Sequence, residues 1–222
     1  MTNIAKEAAG IKACELIRDG MIVGLGSGST AECFIKSLGE RNLRIQTVPS
    51  SRASADLAKS LKMEVIDINS VPRIDITVDG ADEIDIQNRM IKGGGGAHVR
   101  EKILASASDE MVVIVDDSKL VDAVGRGKLP VEVMFFGSPA TRSKIEALGF
   151  SGKWRQNDDE TLFITENGNL LFDIHFKAPP KDPENVHELI CQIPGVIDTG
   201  FFFNMAKRVI IGYPDGTAKL RQ

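Results

Sequence analysis

Apolar positions along the chain alternate between two spacings. Ile4, Ala8, Ile11 and Leu16 recur near helical spacing and predict a helix over Asn3 to Arg18, with Gly20 as its stop. Residues 21–24 form a short apolar run that enters Gly26-Ser27-Gly28-Ser29-Thr30, after which residues 31–38 return to helical spacing. That is a strand, a glycine-rich turn and a helix. Further strands are predicted at 43–48, 63–68, 74–78 and 111–115, with helices at 54–61 and 98–106. This alternation predicts an α/β fold, a Rossmann-like parallel sheet with helices on both faces.

Beyond about residue 127 the pattern changes. A strand over 129–135 and a helix over 141–148 are followed by an apolar stretch, 161–176, broken by Asn167-Gly168, a strong hairpin signal. Asp182 and Pro183 suit the start of a helix through Ile190, which Pro194-Gly195 ends. The segment 128–202 therefore reads β-α-β-β-α-β, a small α+β domain of split βαβ, ferredoxin-like type. The apolar strand 208–212 is assigned back to the first domain. The expected division is 1–127 with 203–222 as the α/β catalytic domain and 128–202 as the small domain.

Charge and composition narrow the partners. The 222 residues carry 27 Lys and Arg against 31 Asp and Glu, a formal net charge of -4, which argues against a nucleic-acid or polybasic membrane surface. Aromatic residues make up only 5%, so the core must be aliphatic. Cys14, Cys33 and Cys191 have no Cys-x-x-Cys spacing and are read as buried thiols of a reducing compartment. His98, His175 and His187 show no metal-ligand spacing, and no His is read as standing beside a cysteine. Without a signal-like N-terminus or an apolar run of transmembrane length, a cytoplasmic protein is expected.

Candidate chemistry gathers after the apolar strands. The turn Gly26-Ser27-Gly28-Ser29-Thr30 would present backbone N–H groups and the positive end of a helix dipole, which suits an anion, phosphate above all. A nucleotide-triphosphate loop is excluded, because it requires a lysine that is absent here. Gly26-x-Gly28-x-x-Ala31 fits the relaxed dinucleotide fingerprint, yet Val48-Pro49 stands where an acid is needed. A tight turn that binds nothing is the plain alternative.

Asp79-Gly80-Ala81-Asp82-Glu83-Ile84-Asp85 places four carboxylates in seven residues, without EF-hand spacing. A solvated acidic loop and a magnesium site are its rivals. Lys92, the glycines 93–96 and the following Arg100-Glu101-Lys102 tip the reading toward proton transfer, which needs acids, a cation and bare backbone amides together. Asp116-Asp117-Ser118-Lys119 adds a second lysine after the next strand. In parallel sheets the ligand site lies outside the carboxyl ends of the strands, where all these segments fall.

In order and spacing, these segments resemble type A ribose-5-phosphate isomerase. Leu129-Pro130-Val131-Glu132-Val133, Asn167-Gly168-Asn169, Ile193-Pro194-Gly195-Val196 and Gly212-Tyr213-Pro214-Asp215-Gly216 are further family-like stretches, so the resemblance spans essentially the whole chain. It implies interconversion of ribose 5-phosphate and ribulose 5-phosphate in the non-oxidative pentose phosphate pathway, through an enediolate, with no cofactor and no metal. It also implies a homo-oligomer, commonly a homodimer, with a homotetramer as the alternative.

Carried onto this sequence, the resemblance makes Glu101 the proton acceptor, assisted by Asp79, Asp82 and Lys92. Substrate would be lined by Ser27, Gly28, Ser29, Thr30, Asp79, Gly80, Ala81, Asp82, Lys92, Gly93, Gly94, Gly95 and Lys119. Where the family more often has threonine in the first turn, Ser27 keeps the hydroxyl. His98, three residues before Glu101, is read as peripheral. A sugar-phosphate deaminase or acyl-carrier transferase is the second enzyme reading, and a non-catalytic sugar-phosphate sensor or a dehydrogenase are the others. The small domain, in which no charged catalytic cluster is read, is expected to be a subunit contact or lid. Trp154 and Phe201, Phe202 and Phe203 are expected in a core or interface.

Overall fold

The computed structural model describes residues 4–71 and 73–221. Asn3, the expected start of the first helix, lies outside them. The helices are α1 (Ile4–Cys14), α2 (Gly28–Glu40), α3 (Arg52–Ser60), α4 (His98–Ser106), α5 (Ser138–Ala147) and α6 (Pro183–Cys191). The first seven strands are β1 (Ile22–Leu25), β2 (Gln46–Pro49), β3 (Glu64–Val65), β4 (Ile76–Asp79), β5 (Glu83–Ile84), β6 (Met90–Ile91) and β7 (Met111–Asp116). Seven more follow: β8 (Lys128–Val133), β9 (Gly152–Trp154), β10 (Leu170–His175), β11 (Val196–Thr199), β12 (Phe201–Phe202), β13 (Ala206–Gly212) and β14 (Ala218–Leu220).

Two units are distinguished. The first comprises the described residues up to Ala81, Arg100–Leu120 and the described residues from Asn204; the second comprises Asp82–Val99 and Val121–Phe203.

The first unit holds a seven-stranded sheet in the order β14-β13-β7-β4-β1-β2-β3. Its pairs are parallel except β13 with β14. Every position of β7 is buried, as a strand covered on both faces requires. Alternate residues of β1 face opposite layers: Val23 and Leu25 pack with Phe34, Ile35 and Leu38 of α2, whereas Ile22 packs in the cluster of Val48 and Leu104 of α4. Burial also pushes the Cys14 thiol of α1 up to about 12. Strand order reverses at β1, which pairs β2 on one side and β4 on the other. Open α/β sheets bind ligands at the carboxyl ends flanking such a reversal.

The second unit contains the order β8-α5-β9-β10-α6-β11, folded as an antiparallel sheet β11-β8-β10-β9. This is the split βαβ arrangement. Its core draws Val131, Val133, Ile145, Phe172, Ile174 and Ile190 together, with Trp154 edge-on to Phe172 at 5.3 Å. Asp182 caps α6 by accepting the Asn185 N–H at 3.0 Å, with Pro183 in the first turn.

Two expectations need correction. The division departs from 1–127 and 128–202 at residues 82–99, 121–127 and 203, which fall in the second unit. The cause is a small sheet, β12-β6-β5, in which Phe202 pairs with Met90 and Ile91 with Glu83. In addition, the Glu83 carboxylate accepts the N–H groups of Gly125, Arg126 and Gly127. The hairpin over 161–176 is also lopsided. The Asn167-Gly168 turn forms, but its first arm makes only isolated bridges, Gln156 to Leu162 and Ile164 to Leu170. Leu162 and Ile164 remain 41% and 47% exposed, so that arm has no core to bury, and β10 pairs instead with β8 and β9.

Candidate active site

In the first unit the turn after β1 is built over an aspartate at the end of β4. Asp79 is fully buried, and its Oδ1 accepts the N–H groups of Ser27 at 3.0 Å and Gly80 at 2.7 Å. A Cβ at position 26 would collide with the Asp79 carboxyl, so only glycine lets the turn pass over it. The Gly26 carbonyl in turn accepts from the Ser54 hydroxyl at 2.6 Å.

Ser27 occupies the N-cap position of α2 but makes no side-chain capping bond. Its hydroxyl donates instead to Glu101 Oε1 at 2.5 Å. The first turn of α2 thus meets solvent at Gly28 and Ser29, with the helix dipole behind it and Thr30 buried. Lys6 of α1 donates from Nζ to the Ser29 hydroxyl at 2.8 Å, which places a cation at this helix N-terminus. Glu101, only 4% exposed, stands in the first turn of α4. After β7, Asp116 accepts the Ser118 N–H at 3.0 Å and shapes the turn carrying the half-buried Lys119.

In the second unit, Asp82 is exposed and its Oδ2 accepts the Gly94 N–H at 2.7 Å. Lys92 is buried, its Nζ lying 5.4 Å from the centre of the Phe202 ring. Gly93 and Gly96 adopt positive φ, +95° and +88°, and a Cβ at 93 would press on the His98 ring. His98 is buried beneath this loop, with Nε2 3.3 Å from the Asp198 carbonyl oxygen.

Sequence reading missed what holds the loop. Arg155 donates from Nη1 to the Gly93 carbonyl at 3.0 Å and the Gly94 carbonyl at 2.9 Å, while Nε and Nη2 grip Asp173 at 2.9 and 2.6 Å. Lys128 adds a third bond to Asp173 at 3.0 Å. Burial alone would raise the Asp173 pKa, but the hydrogen bonds and charges of Arg155 and Lys128 override it and hold the carboxyl below its ordinary value. Residues 128–202 thus carry a charged cluster, but its observed role is to hold a loop, which leaves the expectation of no charged catalytic cluster there standing as an expectation.

The acidic run divides its labour. Asp79 and Asp82 organise the two glycine-rich segments, whereas Glu83 binds the 125–127 amides and Asp85, fully buried, pairs with Arg89 at 2.6 Å. Among the described residues these acids do not converge into a metal-ligand group.

The model of ribose 5-phosphate isomerase A (phosphoriboisomerase A) matches residues 46–216 of this chain. The chain belongs to this family. Ribose-5-phosphate isomerase A of Protochlamydia amoebophila is 44% identical over 219 residues, covering 97% of this chain and 94% of the relative. A second relative of that name, from Oceanobacillus iheyensis, is 46% identical over 214 residues, covering 95% of each chain. Among solved structures, ribose 5-phosphate isomerase from Plasmodium falciparum superposes with a TM-score of 0.94 at 31% identity, covering 100% of this chain and 99% of that one. A D-ribose-5-phosphate isomerase in complex with phospho-erythronic acid gives 0.94 at 33% identity with the same coverage.

For an isomerase A fold, the residues missed by sequence reading are Lys6, Arg155, Asp173 and Lys128. Lys6 sits on the first helix with nothing local to mark it, and Arg155 acts across 61 or 62 positions of sequence. The family-like stretches at 129–133 and 167–169 also meet. The buried Glu132 accepts from Thr165 Oγ1 at 3.1 Å, Asn167 Nδ2 at 3.0 Å and Asn169 Nδ2 at 2.8 Å, which ties the turn to β8.

Proposed function

We propose that this isomerase A family member interconverts ribose 5-phosphate and ribulose 5-phosphate, with Glu101 carrying the proton between C2 and C1. The observation that carries this reading is the buried Glu101 carboxylate, oriented by the Ser27 hydroxyl at 2.5 Å beside a solvent-facing helix N-terminus. The carboxylate removes the C2 proton of the open-chain aldose. The electron pair moves into an enediolate, and return of the proton to C1 leaves the ketose. Abstraction by a positioned carboxylate contributes about 10²- to 10⁴-fold.

The enediolate oxygens need positive charge or N–H donors, the role we give Lys92 and the amides of Gly93 and Gly95, the Gly94 N–H being held by Asp82. Ser27, Gly28, Ser29 and Thr30, with Lys6 and Lys119, supply donors and cations for the phosphate ester. Asp79 and Asp82, with Gly80 and Ala81, hold sugar hydroxyls and the O1/O2 proton. Phospho-erythronic acid, bound by a 33% identical relative, supports the reading, because its planar carboxylate has the shape of an enediolate.

Three finer points complete the proposal. The non-oxidative pentose phosphate pathway is the setting. The free thiols Cys14, Cys33 and Cys191 fit a reducing cytoplasm; no helix of the described residues is long and apolar enough to cross a membrane. Assembly is as a homodimer, for which Phe135 and Phe136, 59% and 85% exposed, offer apolar surface.

The test is incubation with ribose 5-phosphate, chelator and no added cofactor, following ketose formation at neutral pH. Glu101→Gln should lower turnover about 10²- to 10⁴-fold while the phosphate ester still binds. Near-wild-type turnover in that variant would remove Glu101 as the base.

A further inference from the structure

The second unit carries a group of side chains that the isomerase chemistry does not use. His187 and Cys191 lie one turn apart on α6 and share a face, and β11 brings Asp198 up beside them. Cys191 Sγ is 3.5 Å from His187 Nδ1, 3.9 Å from His187 Nε2 and 4.0 Å from Asp198 Oδ1. One ligand atom from each residue can be chosen so that all lie within 4.8 Å of one another. The expectation that no histidine stands beside a cysteine is overturned here, because four residues on a helix place His187 and Cys191 side by side.

Two chemistries use a thiol, an imidazole and a carboxylate together. In a nucleophilic triad the carboxylate orients the imidazole, which in turn draws the proton from the thiol. Here Asp198 Oδ1 faces the sulfur and accepts its neighbouring Thr199 N–H at 2.7 Å, and the Thr199 hydroxyl lies 2.8 Å from His187 Nδ1. A carboxylate turned toward a thiol would oppose thiolate formation unless a cation lay between them. The arrangement suits a metal instead.

A tetrahedral zinc ion, with a metal–sulfur distance of about 2.3 Å and metal–nitrogen or metal–oxygen distances of about 2.0–2.2 Å, sets its ligands roughly 3.3–3.7 Å apart. Small side-chain adjustments bring the observed separations to that range. Thr199 is fully buried, and its Oγ1 also accepts the Phe201 N–H at 3.3 Å, which fixes the hydroxyl. An imidazole that donates Nδ1–H to it leaves Nε2, 3.9 Å from Cys191 Sγ, as the nitrogen for a metal, the outer-shell support that histidine ligands ordinarily have. The Phe203 ring lies edge-on to that imidazole, its centroid 5.8 Å away. Thiolate and imidazole together select zinc over magnesium or calcium, and thiolate plus carboxylate balance its charge.

We propose that His187, Cys191 and Asp198 form a zinc site on the second unit, with water as the fourth ligand and Thr199 as the residue that sets the imidazole tautomer. Cys191 is exposed, so the ion enters directly from solvent. It ties α6 to β11 and takes no part in moving the substrate proton.

The experiment is a cobalt(II) titration of the metal-stripped full chain, read by the thiolate-to-cobalt absorption and the visible bands of a tetrahedral site. One equivalent should bind, and zinc should displace it. Cys191→Ser should abolish the thiolate band, whereas Cys14→Ser and Cys33→Ser should keep it. His187→Gln and Asp198→Asn should each weaken binding more than tenfold, and Thr199→Val should do so by about 10- to 100-fold. Circular dichroism and ribose 5-phosphate turnover should stay at the wild-type level in all these variants, which excludes misfolding as the cause. No thiolate band would overturn the proposal. So would a band that survives Cys191→Ser, or one lost in Cys191→Ser but indifferent to His187→Gln and Asp198→Asn, which is adventitious thiol binding only.

Discussion

The two glycine-rich segments are each fixed through their peptide groups, but largely by opposite electrostatic means. Around Gly26 a buried carboxylate does the fixing from below: Asp79 accepts the amides of Ser27 and Gly80, leaving the first turn of α2 to face solvent. Around Gly93 a guanidinium does it by taking the carbonyls. Arg155 binds the oxygens of Gly93 and Gly94; the N–H across the first of these peptide planes, that of Gly94, goes to Asp82, and the N–H across the second, that of Gly95, points away from the guanidinium. The first device is short-range and tied to a strand end. The second depends on a side chain from another strand pair, itself anchored by Asp173.

The largest expected effect comes from cutting the second device. Arg155→Met leaves Asp173 buried with only Lys128, and should cost the second unit about 3–5 kcal/mol, toward the lower end because Lys128 remains. Urea unfolding followed by hydrogen exchange in β8 and β10 would read it. The same variant should lower kcat for ribose 5-phosphate more than it raises KM, because the amides that Arg155 positions meet charge that develops only in the enediolate. An unchanged kcat would show that the loop keeps its shape without the guanidinium.

Gly26→Ala is the matching cut in the first device. Its Cβ would displace the Asp79 carboxyl, an overpacking cost of about 1–3 kcal/mol, with Ser27 drawn away from Glu101. Here too kcat should fall rather than KM rise, with a smaller loss of stability. Thermal unfolding and steady-state rates on one preparation would separate the two variants.

The smallest effect is a pH dependence that belongs to the second device. Because the folded pKa of Asp173 is depressed, its contribution to stability is fully present above the unfolded carboxyl value and is lost as pH falls through the folded one. Stability of the second unit should therefore decline only on strong acidification. In Arg155→Met, which removes the main opposing influence on burial, the decline should begin at higher pH. Coincident acid limbs in wild type and variant would disconnect Asp173 from this loop.

Legibility followed the same division. Helix α4 is read at its observed bounds, because a glycine run marks its start, and β7 is read to within one residue, because its apolar run is unbroken. Strands of two residues such as β5, β6 and β12 are too short to show a period, and β9 offers one tryptophan among a glycine and a lysine. Glu101, Asp79 and the first turn were recognisable as a motif. Arg155 was not, since an arginine in a polar stretch has the same sequence signature whether it is solvated or clamps a loop.

Local pattern was enough for the α/β class, the split βαβ segment, the glycine turns and the acids and lysines near them. These depend on local period, on glycine's freedom and on motif order. Only tertiary structure decided which acid serves which partner, that residues 82–99 fall with the second unit, and that His187, Cys191 and Asp198 meet. The physical reason is that a hydrogen bond between distant positions leaves no trace in local spacing. It is fixed by the pairing of strands and the packing of helices that bring the two ends together.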